Sequence, residues 1–188
     1  MKIKYNAPVT LSFSLICTVI FILNKYFLPG LMNLFILDPN QPLNALGIFK
    51  LFSHVFGHIS VEHLIGNLTF ILLLGPIAEE KYGSKNLFLM IMFTALVTGI
   101  LNYFIFSSGL MGASGIVFML ILLVSFTNVK SGEILLSFIL VALLFLGKEV
   151  LNALGEDQVS QFSHIIGGLC GAIFGFVLNK NKRGTAIN

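Results

Sequence analysis

Ser114 lies in Gly112-Ala113-Ser114-Gly115, at the head of an apolar run. Flanking glycines let a backbone turn sharply and approach a partner closely, as a reactive serine requires. On its own the tetrapeptide is weak evidence, because glycine-serine turns are common. A serine nucleophile also needs a base within hydrogen-bond reach, and neutral imidazole is the usual one. His164 supplies a candidate. His164, Gly167, Gly168, Gly171 and Gly175 stand at i, i+3, i+4, i+7 and i+11, one face of a helix. Small residues at that spacing let a second membrane helix come close. If that helix is the one headed by Ser114, Gly115 completes the contact and the hydroxyl meets the ring. The competing reading is a glycine packing seam with an incidental histidine. Against it stands the cost of placing a polar group inside a membrane.

A second cluster is His58-Ile59-Ser60-Val61-Glu62-His63-Leu64-Ile65-Gly66-Asn67. His63 and Asn67 are i and i+4, hence neighbours on a helical face. Both donate hydrogen bonds when neutral, as an oxyanion site requires. Metal binding by His54, His58 and His63 is the alternative. His58 and His63 cannot share a face of one helix, and no H-E-x-x-H is present. No metal and no cofactor are expected, and His54 and His58 read as hydrogen-bond partners of a loop. Glu156 and Asp157 mark a solvated segment, which leaves His164 without an orienting carboxylate and favours a two-member Ser-His dyad. A Ser-Lys dyad through Lys148 has nothing to bring it near Ser114. Glu79, Glu80 and Lys81 read as interface charges and helix-end partners.

The elements that must hold these groups follow from composition. Hydrophobic residues make up 56% of the 188 positions and charged residues 10%, with a mean hydropathy of +0.96. That usage belongs to polytopic membrane proteins. The net charge of +3 is too small, and too confined to loop ends, to suggest nucleic acid. Cys17 and Cys170 sit inside apolar runs and read as packing residues. Lys2 and Lys4 before an apolar run imitate a signal peptide, but no small-x-small cleavage site follows, so a retained first span is expected.

Six apolar segments can be drawn, at 8–28, 61–78, 86–106, 114–127, 134–150 and 162–178. Backbone in lipid must satisfy itself, so all six should be helices of an all-α bundle, one domain over 1–188. With the N-terminus inside, the inner side collects Lys2, Lys4, Lys81, Lys85, Lys130, Lys180, Lys182 and Arg183; the outer side receives Lys25, Lys50 and Lys148. The positive-inside rule then puts both termini in the cytoplasm. The fourth segment is short: its residues rise about 21 Å against a hydrocarbon core of about 30 Å. Ser114 should therefore lie below the outer surface, fed by an inward-dipping loop, 107–113. Backbone at that depth is tolerated only around protein or a water-holding cavity. The loop 29–57 is too rich in Leu, Ile and Phe for a polar loop, and reads as partly embedded in the outer leaflet.

Taken together, these residues resemble the rhomboid intramembrane serine proteases over essentially the whole length. The resemblance rests on His58-x4-His63-x3-Asn67, Glu79-x3-Gly83-Ser84, Gly112-Ala113-Ser114-Gly115 and His164-x2-Gly167, in that order along the chain. Phe49-Lys50 stands where bacterial members often carry Trp-Arg. Phe118 stands where many have a tyrosine packed on the histidine, and Ser163 where alanine is usual. The resemblance implies Ser114 as nucleophile and His164 as general base and then acid. His63, Asn67 and the Ser114 N–H would hold the oxyanion. Gly112, Gly115, Phe118, His58, Gly167 and Gly171 would support the site. It implies a multi-pass protein of a prokaryotic plasma membrane, acting on single-span membrane proteins with a helix-destabilised segment near the outer face. Substrate would enter laterally past a gate at 134–151 and a cap at 152–161.

Two other classes remain open at this level. One is a catalytically silent relative that holds transmembrane clients; such proteins commonly lose the serine or histidine, and both are present. The other is a small channel or transporter, which the scarcity of polar residues in the inner halves of the spans argues against. Oligomeric state is not legible.

Overall fold

The computed structural model describes residues 3–125, 136, 139–140, 143–144 and 158–184. Among these the chain forms six continuous α-helices: α1 (Pro8–Tyr26), α2 (Ala45–Ser53), α3 (Val61–Tyr82), α4 (Ser84–Ile105), α5 (Ser114–Ser125) and α6 (Gln158–Gly184). Two 3-10 turns, Leu31–Leu34 and His54–Phe56, lie in the first loop. There is no strand among the described residues, only an isolated antiparallel bridge between Leu37 and Leu110.

The bundle is organised by burial of α5. Apolar residues occupy every side of that helix, and such a helix must be enclosed. Ile116, Met119, Leu120 and Leu123 are at most 1% exposed. α3, α4 and α6 pack against it, and α1 packs outside α3. α1, α3, α4 and the stretch Gln161–Leu178 of α6 are each long and apolar enough to cross a bilayer. The described length of α5, 12 residues, rises only about 18 Å.

Local signals set the helix ends. Pro8 opens α1, where a missing N–H costs nothing. Ala7 has no side-chain acceptor for the next donors, and α3 supplies one. Glu79 accepts from Val9 N (2.9 Å), Thr10 N (3.0 Å) and the Thr10 hydroxyl (2.8 Å). A carboxylate there also complements the positive end of the helix dipole. Ser60 caps α3 by accepting from His63 N at 3.1 Å. Gly83, at φ +83°, ends α3 and starts α4 in one residue.

Three helices overrun the apolar segments, whereas α1 ends at Tyr26, short of the expected 28. α3 continues to Tyr82 rather than stopping at 78, and α4 begins at Ser84 rather than 86. α6 starts at Gln158, inside the expected cap, and runs to Gly184. Apolarity marks the hydrocarbon slab, whereas the hydrogen-bond ladder persists into the interface. The fifth span, 134–150, lies outside the described residues apart from Leu136, Ile139, Leu140, Leu143 and Leu144, which are helical and outward-facing. The expected gate, 134–151, and 152–157 of the cap likewise lie outside the described residues, apart from the same five leucine and isoleucine positions.

The first loop is built, not loose. α2 buries Gly47, Leu51 and Ser53 and meets α4 at Gly99, where a Cβ would come within 2.7 Å of the Leu51 carbonyl oxygen. Leu46, Ile48 and Phe49 face outward, the composition of a helix lying at a bilayer surface.

Candidate active site

Ser114 is the first residue of α5 and His164 lies in the second turn of α6. These helices touch backbone to backbone. A Cβ at Gly167 would overlap the Gly115 carbonyl, and one at Gly171 the Met119 carbonyl. Gly115 in turn faces the Ser163 carbonyl, 3.3 Å from where its Cβ would be. Gly168, by contrast, meets only the Leu122 side chain at ordinary contact distance. The seam is thus made by Gly167 and Gly171, one turn apart.

That approach carries the imidazole of His164 onto Phe118, with ring centroids 4.2 Å apart and planes 8° from parallel. Phe118 and Ser114 are i and i+4 on α5, hence on one face. The ring therefore lies along the face that carries the hydroxyl. Both Ser114 and His164 are half-buried.

The turn before Ser114 is held from three directions. Leu37 and Leu110 exchange two backbone hydrogen bonds, of 3.0 and 2.9 Å. The Asn102 amide donates to the Ser108 carbonyl at 3.2 Å. Gly112 N donates to the His54 carbonyl at 2.9 Å. Gly112 has φ +130°, and a Cβ there would come within 2.7 Å of the His63 ring. Only glycine fits both demands.

His54 is fully enclosed, and its Nε2–H donates to the Ala95 carbonyl at 3.0 Å. Burial pushes its pKa down to about 4, against the opposing pull of the Ala95 bond. His58 donates from Nδ1 to the Phe56 carbonyl at 3.3 Å. Its pKa is also down at about 4, mainly through burial and secondly through His63. Both rings are neutral near pH 7. His58 precedes the Ser60 cap, so it is not on the helix of His63, and the two rings pack edge to face at 5.1 Å. The restriction on a shared helical face does not apply, because the helix starts between them. Among the described residues no group of three or more His, Cys, Asp or Glu could hold a metal.

Asn67 is 6% exposed, one turn beyond His63. Its Nδ2 is buried with no hydrogen-bond partner, and His63 Nδ1 is likewise unpartnered. A buried polar atom without a partner costs free energy in the resting protein, and both atoms are open to a hydrogen bond with an added group. Asn102 was not singled out from the sequence. Its signal is a second amide in α4, near the C-terminal end of a mostly apolar helix.

The rhomboid domain family matches residues 46–181. Among curated proteins, the Rhomboid protease GlpG of Klebsiella pneumoniae is 29% identical over 119 residues, 63% of this chain and 43% of the relative. The proteins of that name from Salmonella paratyphi A and Salmonella typhi are each 28% identical over 182 residues, 94% of this chain and 66% of theirs. The chain thus spans between 43% and 66% of the length of these relatives. With four helices among the described residues fit to cross a bilayer and a family match over most of its length, the chain is an integral membrane protein belonging to the rhomboid family.

Proposed function

We propose that this chain, acting as one membrane domain over 1–188, is an intramembrane serine endopeptidase. The observation that carries the reading is the stack of His164 on Phe118, one helical turn from Ser114. In this mechanism the Ser114 hydroxyl attacks a peptide carbonyl while His164 takes its proton. The oxyanion that forms is held by Asn67 Nδ2, His63 and the Ser114 N–H, donors that strengthen as charge develops. His164 then returns the proton to the leaving amine, and water hydrolyses the acyl-enzyme after entering from the outer side. The names of the relatives, Rhomboid protease GlpG, support the same chemistry. The substrates are single-span membrane proteins cut in or near the transmembrane segment, and both termini of the enzyme are cytoplasmic in a prokaryotic plasma membrane.

The test is incubation of detergent-purified protein with a panel of single-span substrates. Ser114→Ala and His164→Ala should each lower the rate by at least roughly a thousandfold and leave folding intact. A mechanism-based serine inhibitor should label the wild type alone; labelling of Ser114→Ala would sink the proposal. Retention of substrate without cleavage by the wild type would favour a silent binding module.

A further inference from the structure

On the side of the bundle away from Ser114, α4 and α6 leave a groove with a cavity volume of about 600 Å³. Phe52, Asn86, Leu89, Phe93, Val177 and Leu178 are among its walls. Leu89, Phe93 and Val177 are each about half exposed, so the groove opens on the surface that meets lipid. Phe93 and Phe174 touch edge to face at 5.7 Å and set the register of the two antiparallel helices. Toward Asn86 on α4 therefore means toward Leu178 and beyond on α6.

The two ends of the groove differ in charge. At the Asn86 end, α4 carries exposed Lys85 and an N-terminus with no side-chain cap on its free N–H groups. The final turns of α6 at the same end contain Lys180, Lys182 and Arg183. Glu80 and Glu79 are the opposing charges nearby, and the Glu79 carboxylate is already engaged by Val9, Thr10 and the Ser84 side chain. The wall from Asn86 to Leu96 rises about 15 Å, half of a hydrocarbon core of about 30 Å.

We propose that this groove is a binding site for an anionic phospholipid. One acyl chain lies along α4 and α6, and the phosphate sits at the Lys85 end. The length fits one leaflet, and the charge fits an anionic headgroup. A second copy of the chain in the same orientation would bring like charges together at that end, which disfavours it as occupant. The inference does not depend on peptidase activity.

The chain has no tryptophan, so Leu89→Trp places a single fluorophore in the groove. The full-length variant is reconstituted in phosphatidylcholine vesicles containing brominated phosphatidylglycerol or brominated phosphatidylcholine at equal fraction. A Leu15→Trp variant, on the exposed face of α1, is the control. Quenching at Leu89→Trp should report roughly tenfold preference for phosphatidylglycerol, with none at Leu15→Trp. Adding Lys85→Gln, Lys180→Gln, Lys182→Gln and Arg183→Gln should abolish it. Equal quenching by both lipids, the same preference at Leu15→Trp, or a preference that survives charge removal would each overturn the proposal. So would quenching by neither, the result a second copy or a substrate helix in the groove would give. Native mass spectrometry of the unmodified chain from a mixed bilayer gives an independent reading: retained phosphatidylglycerol supports the site, and equal retention of both lipids rejects it.

Discussion

The phenyl ring of Phe118 and the imidazole of His164 lie face to face at 4.2 Å. A stack this flat fixes the plane of the imidazole against the face of α5 that carries Ser114. An aromatic pair contributes about 0.5–1.5 kcal/mol beyond the area it buries. Phe118→Ala should lower kcat roughly tenfold with little change in KM, because under the proposed mechanism it loosens the base and not a substrate contact. Phe118→Tyr keeps the stack and should stay within about twofold of the parent. Steady-state kinetics on a single-span substrate separates the two.

The glycines of α6 should not be equivalent. Gly167→Ala drives a methyl into the Gly115 backbone, so the helices must part or the chain must strain. Overpacking of this kind costs about 1–3 kcal/mol. A displacement near 1 Å at the site is expected to cost about a hundredfold in rate. Gly168→Ala meets only a side chain at 3.6 Å and should be nearly silent in both thermal midpoint and kcat/KM.

Asn67 tests the oxyanion reading. Its unpartnered Nδ2 has little to lose in the resting protein, so Asn67→Ala should leave the thermal midpoint close to the parent's. The same change should reduce kcat by about 10² to 10³ with KM unaltered. A fall in stability without a selective fall in kcat would make Asn67 a packing residue instead.

Stability should depend on pH through the first loop. His54 and His58 titrate near 4 in the folded chain, below the roughly 6.5 expected when unfolded. As pH falls below about 6.5 the unfolded chain binds protons first, so stability is complete above that value and is lost down to about 4. Each histidine contributes at most on the order of 3 kcal/mol. Asp38, held below the usual carboxylate range chiefly by the Asn40 N–H, protonates at lower pH and adds nothing inside that window. Thermal melts in detergent from pH 7 to 4.5 should show the decline, and His54→Asn with His58→Asn should flatten it. An unchanged slope would assign the effect to other groups.

What could be read from the sequence was whatever obeys a local rule. The glycine spacing of α6 states a steric fact about one face, and the α5–α6 seam follows from it. Ser60 three residues before His63 states where a helix begins, and a single helix through both His58 and His63 is incompatible with that cap. Glu79 was legible as a helix-end charge, but its partner is the start of α1, about seventy positions away. Periodicity says nothing about such a pairing. The end of α3 and the start of α4 lie two to four residues beyond the apolar segments because hydropathy and hydrogen bonding stop at different depths.

The bridge between Leu37 and Leu110 left no trace in the sequence for a related reason: both of its bonds run main chain to main chain and ignore side-chain identity. Proline at either position would remove a donor and break it, but almost any other residue preserves it. The first loop can therefore change in side-chain composition while its tether to the turn before Ser114 stays the same length. Side-chain identity in the first loop and the spacing of that loop from Ser114 are thus set by different parts of the chain.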